Sequence, residues 1–208
     1  MGFLPVMLNL KSRKVIIFGG GKIAVRKAKQ MLDHGARVTV ISANFDSAFD
    51  DLTVDRLCID MGASFEIASH LAGAFLVIIA TNDEDINGLI ENLCIKNEIL
   101  YNRVDYADSP LIFPASVELD GVVISVSTLG KSPAFSVFLR DLLRHQSYRY
   151  VRALPVIQRL RCDIHISDIQ RKGLFFSQLF KMNIFWNLVD ESKFEEAYNF
   201  GKSFSYRF

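Results

Sequence analysis

The chain has 208 residues, half of them hydrophobic and 23% charged, enough for one full domain and a smaller appendage but too few for two ordinary domains. This composition excludes general disorder, and 24 Lys and Arg against 23 Asp and Glu leave no net field to attract nucleic acid or a membrane surface. Any basic surface must be local.

Cys58, Cys94 and Cys162 are odd in number, far apart, and form neither a CxxC pair nor a Cys/His cluster, which predicts a reducing compartment and no structural zinc. In the apolar start MGFLPVMLNLKSRK the basic residues follow the hydrophobic run and Pro5 interrupts it, so no signal peptide is expected. Val6 stands where a myristoylation signal after Gly2 needs Ser or Thr, and no apolar run reaches the roughly 18 residues of a membrane helix. The expectation is a cytoplasmic protein with no membrane or nucleic-acid partner.

Lys14 to Phe18 is a short apolar, β-branched run ending in three glycines, and Lys22 to His34 carries apolar residues at helical spacing. Gly35 is placed to end that helix, and Arg37 to Ile41 reads as a second strand, completing a βαβ unit. Between Asp46 and Ser69 the pattern weakens, with strand candidates at Arg56 to Ile59 and Ser64 to Ile67. Ala74 to Ala80, AFLVIIA, is the continuous apolar run of a strand covered on both faces, followed by a helix from Asp83 to about Lys96 and a strand at Ile99 to Asn102.

The alternation then changes. Ala115 to Glu118 and Val122 to Ser127 alternate around Asp120-Gly121, a hairpin signal, so the parallel unit is expected to end near residue 112. Ser132 and Pro133 open a largely helical remainder. Residues 131–172 hold nine Lys or Arg against three Asp, a basic excess that the whole-chain balance hides. The last 34 residues hold 11 of the 24 aromatics, which we read as helix-packing surface in preference to a ligand cage.

Gly19, Gly21 and Ala24 form G-x-G-x-x-A between a strand and a helix, with Lys22 and Ile23 inside the motif. The mechanism of dinucleotide binding needs a tight turn at Gly19, close approach of pyrophosphate to the Gly21 backbone, and close helix packing at Ala24. The acid expected after the second strand is missing: Ser42 and Ala43 stand there, with Asn44 and Asp46 beyond. No Arg follows to hold a 2′-phosphate, which favours NAD over NADP.

Thr81 and Asn82 fall at the carboxyl edge of the sheet, where doubly wound folds bind ligands, and either could also cap the next helix. Asp105 falls at the same edge and could exchange protons beside a nicotinamide or serve as a turn residue; Arg103, two residues earlier, shares its face in an extended segment. The four histidines show no metal-ligand spacing.

The segments LPVMLNLKSRKVIIFGGGKIAVRKAKQMLDHGARVTVIS, AFLVIIATNDEDIN, NRVDYADSPLIFPASVE and ISVSTLGKSPAF, in this order between Leu4 and Arg144, resemble the siroheme synthase dehydrogenase family. Its members are precorrin-2 dehydrogenases that in some cases also act as sirohydrochlorin ferrochelatases. The resemblance implies oxidation of a polycarboxylate tetrapyrrole by hydride transfer to NAD⁺, with Fe²⁺ insertion in bifunctional members. It implies a homodimer with a Rossmann-like doubly wound, mostly parallel sheet (residues 1–112), a small dimerisation region (113–145) and a helical C-terminal domain (146–208).

By the same resemblance the family's catalytic aspartate falls on Asp105, and Thr128, Lys131 and Ser132 belong to its substrate segment. Arg140 and Arg144, four apart on one helical face, join them as candidate carboxylate ligands. Two positions depart from the family pattern: Leu129 stands where Gly or Asp is common, and Arg103 where an apolar residue is usual. Uroporphyrinogen methylation is expected to be the work of another protein. A reading of a different class, a non-catalytic NAD-binding sensor or regulatory module, uses the same fold without chemistry.

Overall fold

A computed structural model of the chain describes residues 2–60, 64–106 and 109–208, the side chains of 64–66 excepted. The chain divides into two compact units, Met1–Phe113 and Pro114–Phe208.

Strands β1 (Lys14–Phe18), β2 (Arg37–Ser42), β3 (Asp55–Cys58), β4 (Leu76–Ile79) and β5 (Leu100–Arg103) form one sheet in the first unit, in the order β3-β2-β1-β4-β5. Every pairing is parallel. Alternate residues feed opposite cores, as the two-residue period of a strand requires. Val15, Ile17, Val40 and Ile78 pack with Ala24, Val25, Ala28 and Met31 of helix α1 (Lys22–Asp33). Ile16, Phe18, Val77 and Ile79 pack on the other face with Ile67 and Leu71 and with Ile90 and Cys94 of helix α3 (Glu84–Lys96). The fold is therefore α/β with a doubly wound sheet, and the strand order reverses between β1 and β4, where such folds open a crevice at the carboxyl edge.

The described residues correct one expectation. Ser64 to Ile67 belongs to helix α2 (Ser64–His70), not to a strand. β3 lies at one edge of the sheet while β4 lies beyond β1, and a parallel crossover of that length needs a covering element. Ile67 of this helix and Leu71 just after it bury its apolar side against the sheet. Gly35 has φ of +76° and closes α1 as its position predicts.

The second unit begins with a hairpin, β6 (Ala115–Leu119) and β7 (Val122–Val126). Asp120 and Gly121 both have positive φ, +41° and +88°, the primed turn that matches strand twist. Helix α4 (Pro133–Asp163) follows, capped by Ser132, and runs unbroken past residues 145 and 146, so the change of sequence pattern there falls inside one helix. Helices α5 (Ile169–Leu179), α6 (Asn183–Asp190) and α7 (Phe194–Ser205) complete the unit. Phe175, Phe185 and Phe204 are buried with Leu160 and Val189, so much of the aromatic excess is core. Among the described residues no helix is long and apolar enough to cross a membrane.

One core residue works against folding. Lys27 of α1 is only 9% exposed, with its ammonium 3.5 Å from the centre of the Phe113 ring. Burial, and then repulsion from Arg26, push its pKa down to about 8. The unfolded chain thus binds more protons between the two pKa values, so stability rises with pH from about 8 to about 10.5. Lys27→Met should stabilise the protein by about 1–3 kcal/mol below pH 8, the cation–π contact offsetting part of the desolvation cost, and the gain should vanish above pH 10.5. Urea unfolding across this pH range checks both statements.

Candidate functional site

The carboxyl ends of β1, β2 and β4 converge on the three glycines. Gly19 has φ of +113°, and a Cβ there would stand 2.7 Å from the Ala80 carbonyl carbon. A Cβ on Gly20 would strike the Asn44 carbonyl and lie 2.8 Å from Ser42 Oγ. Backbone bonds fix this packing: the Gly19 N–H donates to the Ile41 carbonyl at 2.9 Å, and the Asp46 N–H donates to the Gly20 carbonyl at 2.8 Å.

Gly21 differs, because a Cβ there would meet no atom within 4 Å. It is the N-cap of α1, with no side-chain cap and no acidic residue in the first turn. The helix therefore presents amide donors and the positive end of its dipole to open space, and the residues present fit a dinucleotide pyrophosphate. Lys22 and Ile23 are exposed beside it, while Ala24 is fully buried against the sheet. Gly20, an unassigned position of the motif, turns out to be as sterically constrained as Gly19; only the path of the chain after β2 shows it.

Ser42 is buried beneath the turn, so the exposed residues at this point are Ala43 and Asn44. Asp46 is occupied as a cap, accepting the Ala48 N–H at 2.9 Å.

A polar network extends from the same edge toward β5. Thr81 Oγ1 donates to Asn87 Oδ1 at 2.6 Å, and Asn87 Nδ2 donates to the Thr81 carbonyl and to Asp105 Oδ2, both at 3.2 Å. Arg103 holds both oxygens of Asp105, Nε to Oδ1 at 3.0 Å and Nη2 to Oδ2 at 3.2 Å. Its remaining arm donates to Glu91 Oε2 at 3.0 Å, and Tyr101 donates to Glu91 Oε1 at 2.9 Å. Asn82 is exposed, and Asp83 rather than Thr81 or Asn82 supplies the cap of α3, accepting the Ile86 N–H at 3.0 Å.

The Arg103 hydrogen bonds hold the Asp105 carboxyl below the usual aspartate range, outweighing the opposing effect of partial burial. Asp105 is thus an exposed, ionised carboxylate fixed on its inner side. Asn87, the last residue of the AFLVIIATNDEDIN segment, and Glu91 beyond it received no role from the sequence; a polar residue 1% exposed within a helix, as Asn87 is, is the signal, and burial is visible only in three dimensions.

In the second unit Thr128 is committed to its own turn. Its hydroxyl donates to the Ser132 carbonyl and accepts the Ser132 N–H, each at 2.9 Å, and Ser132 Oγ accepts the Phe135 N–H at 3.3 Å. Lys131 and Arg144 are exposed, whereas Arg140 is bound by the adjacent Asp141 at 2.7 Å. Among the described residues no group of three or more His, Cys, Asp or Glu is arranged to hold a metal ion.

A family model for putative NAD(P)-binding proteins matches residues 6–115. The chain is 31% identical over 204 residues to a precorrin-2 dehydrogenase of Methanosarcina barkeri, covering 94% of this chain and 90% of that protein. It is also 31% identical over 201 residues to a siroheme synthase of Blochmanniella floridana, covering 95% of this chain but 43% of that protein, so it spans less than half the length of this longer relative. A solved structure, that of SirC, a precorrin-2 dehydrogenase, matches with a TM-score of 0.73 over 95% of this chain and 99% of its own, at 24% identity, a likeness of fold.

The glycines separate binding from folding. Gly21→Val should fold with an unchanged melting temperature and lose dinucleotide affinity by at least about a hundredfold, since the side chain fills the phosphate's place. Gly20→Ala should cost about 1–3 kcal/mol of stability because the segment after β2 must move. Calorimetric titration with NAD⁺ and thermal unfolding of both variants check the contrast.

Proposed function

The chain belongs to the precorrin-2 dehydrogenase family, and from that premise we propose that it oxidises precorrin-2 to sirohydrochlorin with NAD⁺ as the hydride acceptor. The carrying observation is the position of Asp105, tied through Asn87 to Thr81 at the end of β4, beside the glycine turn. NAD⁺ supplies the hydride acceptor, and the first turn of α1 holds its pyrophosphate. The NAD preference is supported by the absence of an arginine at Ser42, Ala43 and Asn44, where a 2′-phosphate would need one. Because Ser42 is buried, ribose contact falls to the exposed Asn44.

The remaining work belongs to the protein's own side chains. Loss of hydride from a macrocycle carbon leaves positive charge on the ring, and Asp105, ionised at neutral pH, faces that charge and accepts the N–H proton it releases. Substrate carboxylates are assigned to Lys131 and Arg144, with Arg140 weaker because Asp141 already compensates it. Thr128 and Ser132 shape the segment that carries Lys131, their hydroxyls being committed to its turn.

The partner is proposed to be a second copy of the chain. Phe135, Phe138 and Leu142, on one face of α4, expose 44–59% of their surface, and the Phe135 and Phe138 rings stack at 6.0 Å. Such an apolar stripe on one helix is what an isologous interface buries.

Asp105→Asn and Asp105→Ala should bind NAD⁺ normally and lower the rate of NADH formation from precorrin-2 by about 10²–10⁴-fold. In the wild type the active form is the carboxylate, lost only as pH falls through a value below the usual aspartate range, so the rate should stay level from about pH 8 down to about pH 5. Wild-type rates in both variants would return Asp105 to the role of a turn residue. Independently, Phe138→Glu should convert a dimer into a folded monomer in sedimentation experiments, and a wild-type monomer would remove the assembly from this reading.

A further inference from the structure

Asp105 does not act alone: each of its oxygens has a guanidinium donor, and that guanidinium is itself fixed. The Arg103 side chain is 10% exposed, its third hydrogen bond goes to Glu91, and Glu91 is held in turn by the Tyr101 hydroxyl. The Tyr106 ring lies 5.5 Å from the guanidinium carbon. On the α3 side Asp105 receives the Asn87 amide. Three of these contacts donate to the carboxylate, two from Arg103 and one from Asn87, so proton uptake at Asp105 must give up charge-assisted bonds that only the ionised form makes fully.

We infer that Arg103 is a specificity-determining positioning residue: by clamping Asp105 it suits the site to oxidation of the tetrapyrrole and makes it poor at inserting a metal ion into the product. The inference rests on the dehydrogenase reading above and concerns which of two reactions the same carboxylate supports.

The two reactions ask different things of a base. In the oxidation one C–H bond gives its hydrogen and both electrons to NAD⁺, forming NADH and leaving the macrocycle with one positive charge. One N–H proton then departs, its bonding pair staying on nitrogen and cancelling that charge. The N–H of a cationic ring is acidic, so a weakly basic carboxylate suffices, provided that it is ionised and in place. In metal insertion no electrons change hands. Two N–H protons must leave a neutral macrocycle while the nitrogen pairs pass to Fe²⁺ as substrate, and the acceptor has to be a stronger base. A carboxylate whose oxygens are already engaged by a guanidinium is the wrong group for that task and the right one for the first.

The experiment compares the wild type with Arg103→Met, which removes the clamp, and Arg103→Lys, which keeps the charge but offers no fork. Two assays are run on each protein: NADH formation from precorrin-2 and NAD⁺ under anaerobic conditions, and Co²⁺ insertion into sirohydrochlorin followed by loss of the metal-free absorption. An opposite charge of this kind shifts a carboxylate by about 1–3 pKa units, so Arg103→Met should raise the ratio of insertion kcat to oxidation kcat by about tenfold. The KM for tetrapyrrole and the NAD⁺ affinity should stay within about twofold, since Arg103 is engaged by protein groups and not offered to substrate. Arg103→Lys should fall between the two, and it decides by the same ratio if Arg103→Met does not fold.

A ratio that is unchanged, or that moves toward oxidation, overturns the inference, as does absence of insertion from the wild type and both variants. A parallel loss of both activities assigns Arg103 to structure alone and overturns it too. A folded wild type that binds NAD⁺ but forms no NADH from precorrin-2 overturns the functional reading and this inference with it; oxidation with an unmoved ratio sinks the inference alone.

Discussion

At the carboxyl edge of the sheet the chain leaves β1 through a space that admits no side chain. The Ala80 carbonyl and the Asn44 carbonyl stand where the Cβ atoms of Gly19 and Gly20 would be. This crowding follows from the strand order: β2 and β4 flank β1 on opposite sides, so the chain segments that follow them close in on the turn from both directions. Because Gly19 also takes a positive φ, a conformation costly for residues with a Cβ, the turn, the start of α1 and the open edge depend on one steric condition. The next residue reverses that condition. Gly21 faces open space, and the uncapped N-terminus of α1 leaves its amide groups for a ligand.

The polar chain from Thr81 to Tyr101 shows a second constraint. Asn87 is almost wholly buried, and leaving one of its polar atoms unpaired would cost about 1–3 kcal/mol. Its amide nitrogen is shared between Thr81 and Asp105, and its oxygen accepts from Thr81, so the residue is satisfied only when the end of β4 and the segment after β5 take their observed positions. Glu91, Arg103 and Asp105 carry two negative charges and one positive in a connected row, so the partly buried guanidinium is more than compensated and the exposed end stays anionic. Stability and chemistry share these residues: the bonds that fix Asp105 also weaken it as a base.

The second unit solves a different problem with a different composition. Four helices bury a core in which phenylalanines meet edge to face, with Phe175 against Phe176 at 4.8 Å and Phe208 at 5.8 Å. Arg159 lies over the Tyr198 ring at 3.7 Å while also pairing with Glu195, so part of the local basic excess serves packing and ion pairs instead of a ligand. Residue counts overstate the free charge for this reason; Lys131 and Arg144 are better candidates for substrate carboxylates than the helical total suggests.

Local rules were enough for much of this protein. β1, α1 and the hairpin lie where periodicity, Gly35 and Asp120-Gly121 put them, because strand alternation, helix spacing and positive-φ turns are properties of a few adjacent residues. The glycine motif was legible for the same reason, and the four family-like segments carried the functional reading. The helix at Ser64–His70 was not legible, since what makes it helical is the span from β3 to β4. The constraint on Gly20, the burial of Ser42, and the contact of Asp105 with Asn87 were also out of reach of the sequence. Asp105 meets Asn87 eighteen residues away, and Arg103 meets Glu91 twelve away, pairings that arise only when α3 is laid against β5. Spacing could say that Arg103 and Asp105 share a face; whether the guanidinium or burial governs the carboxylate depended on depth and geometry, and the tertiary structure decided for the guanidinium because Asp105 remains exposed while Arg103 is fixed from behind.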